Sequence, residues 1–161
     1  METPEVMRKM RRSECLLSAE ETLRYLCEEN WGVLSVHGEN GFPYGVPMNY
    51  VWDNGTVLLH ATSENSHRLD SIRKDPKVCF TVVPEHRLDR KNWATEYVSV
   101  IIFGTAEIIS DPGELFGAMK TFMGSLAPDM AAEAFRSCDP GKAKMVMIRV
   151  HPSAVTGKKN Y

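Results

Sequence analysis

Residues 39–55 read Glu-Asn-Gly-Phe-Pro-Tyr-Gly-Val-Pro-Met-Asn-Tyr-Val-Trp-Asp-Asn-Gly, and this stretch decides the fold. An Asn-Gly dipeptide stands at each end, at 40–41 and at 54–55, and Asn-Gly between apolar runs is the strongest short-range signal of a β-hairpin. Between the two turns the side chains alternate with the period of a strand. One face carries Phe42, Tyr44, Val46, Met48, Tyr50 and Trp52. The stretch therefore predicts a long strand between two hairpin turns.

Two prolines lie on the other face of this strand, at Pro43 and Pro47. Proline has no N–H to donate to a neighbouring strand, so within sheets it is confined to edges and bulges. We therefore expect one edge of this strand to be locally unpaired, bulged or free for a ligand.

The rest of the chain predicts further short strands and helices. Apolar runs indicate strands over 33–36, 57–60, 78–83, 97–109 and 145–150. Helix signals indicate helices over 19–29, over 66–74, from Asp111-Pro112 onward and over 130–136. Strands joined mostly by hairpins favour a mainly β protein with added helices, an antiparallel barrel of five or six strands rather than a parallel sheet. We expect one domain over 1–161, with 1–17 as an N-terminal arm.

Two details of this pattern are specific enough to test. Gly104 interrupts the run 97–109 and marks a place where the sheet could bend sharply. Residues 84–94 are mostly polar and predict a loop, whose basic part, Arg87 to Lys91, is either a solvated face or the rim of a pocket for an anionic substrate.

Composition and charge argue against several classes of protein. The 161 residues are 43% hydrophobic and 25% charged, as in ordinary globular proteins. The net charge of −2 argues against nucleic-acid binding, because duplex binders carry a positive excess. No apolar run approaches the roughly 18–20 residues that span a bilayer, and the charged N-terminus lacks the apolar stretch of a signal peptide. We expect a cytoplasmic protein with no membrane partner.

Known cofactor and metal motifs are missing from the sequence. G-x-G-x-x-G and G-x-x-x-x-G-K-[ST] are absent, which removes the Rossmann and P-loop interpretations. The cysteines, Cys15, Cys27, Cys79 and Cys138, form no C-x-x-C pair and are expected to be reduced thiols. We expect no protein-built metal site. Met119 and Met123 belong to an apolar helical stripe and are expected in the core rather than in a cofactor box.

The sharpest candidate site is the junction between the strand that ends at His60 and the helix that begins after Ser66. A helix N-terminus offers free N–H groups and a partial positive charge, which suit a phosphate. Ser66 adds a hydroxyl, and Arg68 adds a planar guanidinium. On the residues alone, Ser66 could instead simply cap the helix and Arg68 could be a solvated side chain. His60, with its near-neutral reference pKa, suits proton transfer if it faces a ligand, and is otherwise a core or rim histidine.

Four segments together resemble the pyridoxamine 5′-phosphate oxidase-like FMN-binding split barrels, and within them the nitroimidazole-resistance (NimA-type) proteins. The segments are Pro43-Tyr44-Gly45-Val46-Pro47-Met48-Asn49-Tyr50, Leu59-His60-Ala61 running to Ser66-His67-Arg68-Leu69, Tyr97 to Ala106, and Thr156 to Tyr161. Many relatives have a glycine in place of Ser66 and a lysine in place of Arg68. The Arg-Leu-x-Pro close of true pyridoxamine-phosphate oxidases is absent, so vitamin B6 oxidation is not expected.

The resemblance implies a six-stranded antiparallel split β-barrel flanked by short helices, forming a homodimer with FMN at the subunit interface. It implies that the backbone of Val46, Pro47, Met48 and Asn49 lines the flavin ring, with His60 and Ala61 close to it. Ser66, His67 and Arg68 would take the phosphate. Tyr97, Ser99 and Val100 would approach the cofactor, from the second subunit in one arrangement.

The activity that the resemblance implies is that of a flavin-dependent oxidoreductase, with His60 as the catalytic residue. It would take electrons from a reduced nicotinamide and pass them to a small electrophile such as a nitroaromatic, with His60 donating a proton or orienting the acceptor. Two alternatives stay open: a non-catalytic flavin- or haem-binding protein, and a deazaflavin-dependent reductase on the same barrel.

Overall fold

The stretch around Pro43 and Pro47 forms the second of six strands in a closed antiparallel barrel, in a computed structural model that describes residues 10–62, 65–137 and 146–161. The strands are β1 (Trp31–His37), β2 (Pro43–Asp53), β3 (Thr56–Ala61), β4 (Lys77–Asp89), β5 (Ala94–Ile108) and β6 (Val146–Lys159). Around the barrel they follow the order β1-β2-β3-β6-β5-β4. The predicted fold class, mainly β with a six-stranded antiparallel barrel, is confirmed.

Four helices accompany the strands: α1 (Ala19–Glu28), α2 (His67–Lys74), α3 (Pro112–Leu126) and α4 (Pro128–Ser137). The predicted capping box opens α1, since Ser18 Oγ accepts from Glu21 N at 3.0 Å and Glu21 Oε2 accepts from Ser18 N at 2.9 Å. Asp111 caps α3 in the same way, by accepting from Glu114 N at 2.9 Å. Single turns of 3₁₀ helix lie at Ser13–Cys15 and Glu39–Gly41.

The hairpin turns around β2 agree with the sequence. Asn54 and Gly55 have φ values of 47° and 83° and join Asp53 to Thr56, which is the positive-φ turn that Asn-Gly favours. The other turn contains Gly41 at φ 79°. Phe42 comes directly after this turn and is 74% exposed, so it lies outside the strand that was predicted to include it.

The predicted loop over 84–94 is wrong, because β4 and β5 continue as one long hairpin with a loop of only four residues, 90–93. This part of the hairpin is exposed to solvent on both faces. Its side chains are therefore mostly polar and lack the apolar alternation by which a strand is recognised in a sequence. A register shift between Val82 and Glu85 accommodates Pro84. The last strand is also longer than predicted, since β6 continues past a register shift that lies opposite Phe103 and Gly104.

Gly104 marks this bend, as predicted. A Cβ added at Gly104 would lie 2.3 Å from the carbonyl oxygen of His151, so the two backbones can approach only at a glycine.

Two apolar clusters fill the structure, one inside the barrel and one outside it. The inner cluster includes Tyr50, Phe80, Val100 and Ile102, all fully buried. The outer cluster packs α3 against the barrel wall through Leu58, Val51, Ile109, Ala118, Met119, Phe122 and Met147. Met119 is therefore in the core, as predicted, whereas Met123 is only half-buried and belongs to neither cluster. β3 has an apolar face on both sides. This double-sided burial places the end of β3 close to α3.

Candidate flavin-phosphate corner

The end of β3 and the start of α2 form a corner, which we define by His60, Ser66, His67 and Arg68. Ser66 is the residue that precedes α2, as predicted, with φ −134° and ψ 142°. Its carbonyl accepts the first helical hydrogen bonds, from Leu69 N at 2.9 Å and Asp70 N at 3.0 Å. The N–H groups of the first turn therefore point out of the helix at this corner.

The Ser66 hydroxyl does not cap α2. Its Oγ makes no capping hydrogen bond and is a buried atom with no partner among the described residues. An unsatisfied buried hydroxyl is costly, and one beside the open N–H groups of a helix start is consistent with a ligand that binds there. The interpretation of Ser66 as a simple cap is thus not supported.

Arg68, in the first turn of α2, also has a buried polar atom without a partner. Its Nε is buried and has no hydrogen-bond partner in the part of the chain that the structure describes. The ion pairs of that part use other cations, such as Arg73 with Asp70 and Arg87 with Glu96. Arg68 is therefore partly buried, and its guanidinium suits a bound anion.

His60 faces outward from β3, against α3. Its ring centroid lies 5.9 Å from that of Phe122, with the planes tilted by 47°. Burial lowers the pKa of His60, and the positive charge of Arg68 lowers it further. The imidazole is consequently neutral near pH 7, where it can donate one hydrogen bond and accept another.

His67 connects the corner to β2. Its ring stacks on Tyr44, with centroids 4.5 Å apart and an interplanar angle of 11°, and its Nε2 accepts from Glu39 N at 3.4 Å. The Nε2 atom of His67 is thus already engaged, and the groups that His67 can offer to an anion are its Nδ1–H and its backbone N–H. Tyr44 was not among the predicted site residues, although its place in the alternation of β2 could have suggested it.

The free edge of β2 lies beside this corner. Tyr50 N donates to Asn30 O and Gly38 N donates to Phe42 O, both at 3.0 Å, so the even-numbered residues between them bond to β1. The backbone N–H and C=O groups of the odd-numbered residues point away from β1. On that side β3 pairs with β2 only from Tyr50 onward. In the described part of the chain, no strand therefore pairs with this side of residues 43–49, as the prolines predicted.

The prolines fit this open edge without loss of a ladder hydrogen bond. Pro43 and Pro47 are odd-numbered, so the N–H groups that they lack would have pointed away from β1. Among the described residues, no partner strand accepts from the remaining N–H groups on this edge, those of Gly45 and Asn49. The side chain of Asn49 donates to Asn30 O at 3.1 Å.

Three predicted cofactor residues have side chains that point into the barrel. Met48, Ala61 and Val100 are 6%, 1% and 0% exposed and belong to the inner cluster. Inward side chains alternate with outward ones along a strand, so these three can offer only their backbones. Of the other two residues on this stretch of β2, Val46 is half-buried and Pro47 is exposed.

Tyr97 and Ser99 lie on the opposite wall of the barrel, on the outer face of β5. His60 pairs with Met147 of β6, which lies beside Ile108 at one end of β5, whereas Tyr97 and Ser99 lie towards the other end of β5, so these side chains do not reach the corner of the same chain. Tyr97 borders an open cavity of about 490 Å³, and Lys158 Nζ lies 5.4 Å from its ring centroid. The cavity is lined by Pro84, Glu85, His86, Arg87, Glu96, Tyr97 and Tyr161.

The basic segment Arg87 to Lys91 is partly neutralised by its own neighbours. Arg87 donates to Glu96 through Nε at 2.8 Å and through a second guanidinium nitrogen. Asp89 accepts from the backbone of Lys91 and Asn92. The segment borders the cavity beside Tyr97, but this charge pairing does not favour an anion there.

No metal centre or membrane span emerges from the described residues. They contain no group of three or more His, Cys, Asp and Glu side chains that could hold a metal ion. Every helix in this part of the chain is too short or too polar to cross a bilayer. Cys15, Cys27 and Cys79 are free thiols, and Cys138 lies outside the described residues.

Comparison with known families decides the relationship. The sequence profile of the pyridoxamine 5′-phosphate oxidase family matches residues 18–159, which include β1 to β6 and the corner. The chain belongs to the pyridoxamine 5′-phosphate oxidase family. No curated protein matches the chain.

Solved structures of the same fold agree with this family. A protein assigned to 5-nitroimidazole antibiotic resistance, from Bacteroides thetaiotaomicron, has a TM-score of 0.75 at 20% identity, covering 89% of this chain and 86% of its own. A FAD-binding protein from Mesorhizobium loti has a TM-score of 0.69 at 21% identity, over 91% and 97%. A FAD- and haem-binding protein from Mycobacterium smegmatis has a TM-score of 0.74 at 17% identity, over 89% and 71%. These likenesses establish the fold that the chain shares with them.

Proposed function

We propose that this protein binds FMN, with the phosphate held at the corner by Ser66, Arg68 and the open N–H groups of α2. The observation that carries the proposal is the pair of buried polar atoms, Ser66 Oγ and Arg68 Nε, that have no partner in the described residues. A phosphate supplies acceptor oxygens to both atoms and a negative charge to the guanidinium and the helix N-terminus. Fold neighbours that bind FAD support a flavin.

The flavin ring would lie along the free edge of β2. This edge presents the N–H groups of Gly45 and Asn49 and the carbonyls of its odd-numbered residues, which suit the donor and acceptor groups on the rim of a flavin. Val46, Pro47, Met48 and Asn49 contribute mainly backbone, and so does Ala61 at the end of β3. His60 would lie beside the ring, since it belongs to the same corner.

A second copy of the chain would complete the site, forming a homodimer. Tyr97 and Ser99 point away from the barrel wall opposite the corner, so a second copy is the simplest way to bring them to the cofactor. Large apolar side chains on the β4–β5 hairpin support such a partner, because Val83, Leu88 and Trp93 are 53%, 63% and 94% exposed.

The proposed activity is that of an oxidoreductase. A bound flavin supplies the exchange of electrons between a reduced nicotinamide and a small electrophile, for which a nitroaromatic is our candidate. His60 would orient the electrophile by a hydrogen bond from its neutral ring. Because its pKa is lowered, proton donation by His60 at neutral pH requires a change in its surroundings.

The visible spectrum of the purified protein, before and after denaturation and filtration, tests the cofactor. We expect flavin bands, and FMN in the filtrate by mass spectrometry. FAD, a deazaflavin or a haem spectrum in its place would support the corresponding alternative. A colourless protein that also fails to bind added FMN would contradict the proposal.

Turnover tests the activity separately. Wild-type protein should oxidise a reduced nicotinamide in the presence of a nitroaromatic, and His60→Ala should slow this turnover while retaining FMN. If His60→Ala is reduced and reoxidised as fast as wild type, His60 has no catalytic role. A protein that holds FMN but turns over no acceptor in a broad panel would be a binding protein.

Mixed dimers test the second copy. If Arg68 and Tyr97 of different chains share one site, mixing Arg68→Ala with Tyr97→Ala subunits creates one intact site in each mixed dimer. Roughly a quarter of the wild-type FMN capacity should return, because half of the dimers are mixed and each has one intact site of two. If each site belongs to one chain alone, mixing restores nothing.

A further inference from the structure

One side of the barrel presents a sheet face without a charged side chain. Directly paired residues on neighbouring antiparallel strands point to the same side of a sheet, so the register arranges side chains in rows across β2, β1, β4 and β5. The residues between these rows, Leu34, Phe80 and Ile102, are fully buried inside the barrel, so the rows face outward. The neutral face, as we call it, consists of a row of Pro47, Val33, Thr81 and Ile101, a row of Gly45, Ser35, Cys79 and Phe103, and a continuation of the same strands by Asn49, Trp31, Val83 and Ser99.

The neutral face takes no part in the two apolar clusters. In the part of the chain that the structure describes, Val33, Ile101 and Phe103 belong to neither cluster, and α3 packs against β3 and β6 instead. Trp31 and Val83 are each 53% exposed. A sheet face that meets only water normally carries polar and charged side chains, so a neutral face with exposed large apolar groups indicates a contact surface.

The two parts of the proposed flavin site lie at opposite borders of the neutral face. The free edge of β2, at 43–49, forms one border, and Ser99 on β5 lies at the other. Neighbouring strands are about 4.8 Å apart, so about 14 Å separate the two borders within one chain. A twofold axis along the face, between β1 and β4 and parallel to them, would place β5 of a second copy opposite β2 of the first. Ser99 of the partner subunit would then lie opposite Asn49.

This arrangement would complete two sites at once, which favours a second copy over an unrelated protein as the partner. An isologous interface repeats every contact, so each border of one chain meets the complementary border of the other. Because a barrel wall is convex, the two copies would touch along the axis and leave a crevice for a flavin at each border. Side chains near the axis, such as Ser35, Cys79 and Thr81, are small and let the two walls approach. Ionisable side chains begin in the next row, at His37 and Lys77, as in interfaces with a neutral centre and a polar rim.

We infer that the neutral face is the interface of a homodimer, with the twofold axis between β1 and β4, so that each flavin site combines the free edge of β2 in one copy with Ser99 of the other. The inference rests on the proposed function, since it assigns the surface through which a second copy completes that site. Tyr97, two residues beyond Ser99 on the same side of β5, would reach the same crevice.

Opposite charges at Thr81 test this interface. Thr81 lies beside the axis and outside both borders, so the two copies come close at this position without contact to the flavin. Thr81→Lys and Thr81→Glu homodimers would each bury two like charges, and the dissociation constant of the dimer should rise at least about 100-fold. In an equimolar mixture the charges are opposite and a mixed dimer should form. Ser125→Lys is the control, because Ser125 is exposed on α3, away from the neutral face.

Sedimentation velocity of the full chain, combined with FMN titration, measures both consequences. Wild type and Ser125→Lys should be dimers that bind FMN. Each Thr81 variant alone should be a folded monomer by circular dichroism and should bind FMN at least about tenfold more weakly, because half of each site is missing. The mixture should recover the dimer and FMN binding together. If a Thr81 variant fails to fold, Ser35→Lys and Ser35→Glu, on the other side of the axis, take its place.

The ways of failing are distinct. If Thr81→Lys stays a dimer and binds FMN, the neutral face is not the interface, and the proposed function stands without this inference. If Thr81→Lys is a monomer that binds FMN like wild type, each site belongs to one chain and the inference is again wrong. If wild type binds no FMN, the proposed function is overturned, and the inference with it.

Discussion

Two helices of this protein begin after a serine, and the two serines are used in opposite ways. At the start of α1, Ser18 and Glu21 satisfy each other through a complete capping box. At the start of α2, Ser66 makes no capping bond, and its hydroxyl is buried with no partner in the described residues. The first helix start is thus closed by its own side chains, and the second is open to a ligand.

The residue three positions after each serine also differs. Glu21 follows Ser18 and can reach back to the backbone, whereas Leu69 follows Ser66 and is fully buried in the barrel core. A leucine stabilises the packing of α2 but cannot form the second half of a capping box. We therefore expect substitutions at the start of α1 to change the stability of the fold, and substitutions at the start of α2 to change the affinity for the ligand.

The largest effect should come from Arg68→Ala at the open helix start. The substitution removes the one charged side chain that we assign to the phosphate, and a hydrogen bond to a charged group contributes about 1.5–3 kcal/mol. FMN affinity, measured by fluorescence quenching, should fall by about 10- to 150-fold. Arg73→Ala, one helical turn away, should bind FMN like wild type. A loss of affinity that is equal in both variants would mean that Arg68 acts only through the helix.

The next largest effects should come from replacing the two serines, and they should differ in kind. Ser18→Ala should lower the free energy of unfolding by about 0.5–2 kcal/mol, because it removes a cap, and should leave FMN affinity unchanged. Ser66→Ala should weaken FMN by roughly 2- to 10-fold, the value of one hydrogen bond, with stability within about 0.5 kcal/mol of wild type. Urea unfolding and FMN titration of both variants check this. A stability loss in Ser66→Ala as large as that in Ser18→Ala would mean that Ser66 is a cap after all.

The smallest effect is a pH dependence that belongs to the closed helix start alone. Hydrogen bonds from the backbone of Ser18 and from Lys159 lower the pKa of Glu21 to about 2. The unfolded chain, with Glu21 near 4.5, then binds more protons, so this stabilisation is present above pH 4.5 and is lost as the pH falls towards 2. Between pH 4.5 and 2, the unfolding midpoint of Glu21→Gln should therefore depend less on pH than that of the control variant Glu20→Gln. Parallel curves for the two variants would refute the assignment.

The sequence predicted the barrel and the corner because both depend on local signals. Asn54-Gly55, the alternation of β2 and the serine before α2 all act within a few residues. The extent of β4 and β6 could not be predicted, because the polar residues 85–89 form a strand only through pairing with residues 94–98. Nor could the sequence show that Ser66 would leave its hydroxyl unpaired, since that depends on the conformation of the side chain. The separation of Tyr97 and Ser99 from the corner follows from the register of β5 and β6, which local patterns do not contain.

The most direct test of the central claim compares FMN with riboflavin, which differ only in the phosphate. If the corner binds the phosphate through Arg68 and the N-terminus of α2, wild-type protein should bind FMN at least about tenfold more tightly than riboflavin, by the value of one charge-assisted hydrogen bond. Arg68→Ala should reduce this preference. Equal affinity of wild type for the two flavins would contradict the account, because the buried Ser66 Oγ and Arg68 Nε would then have no phosphate to bind.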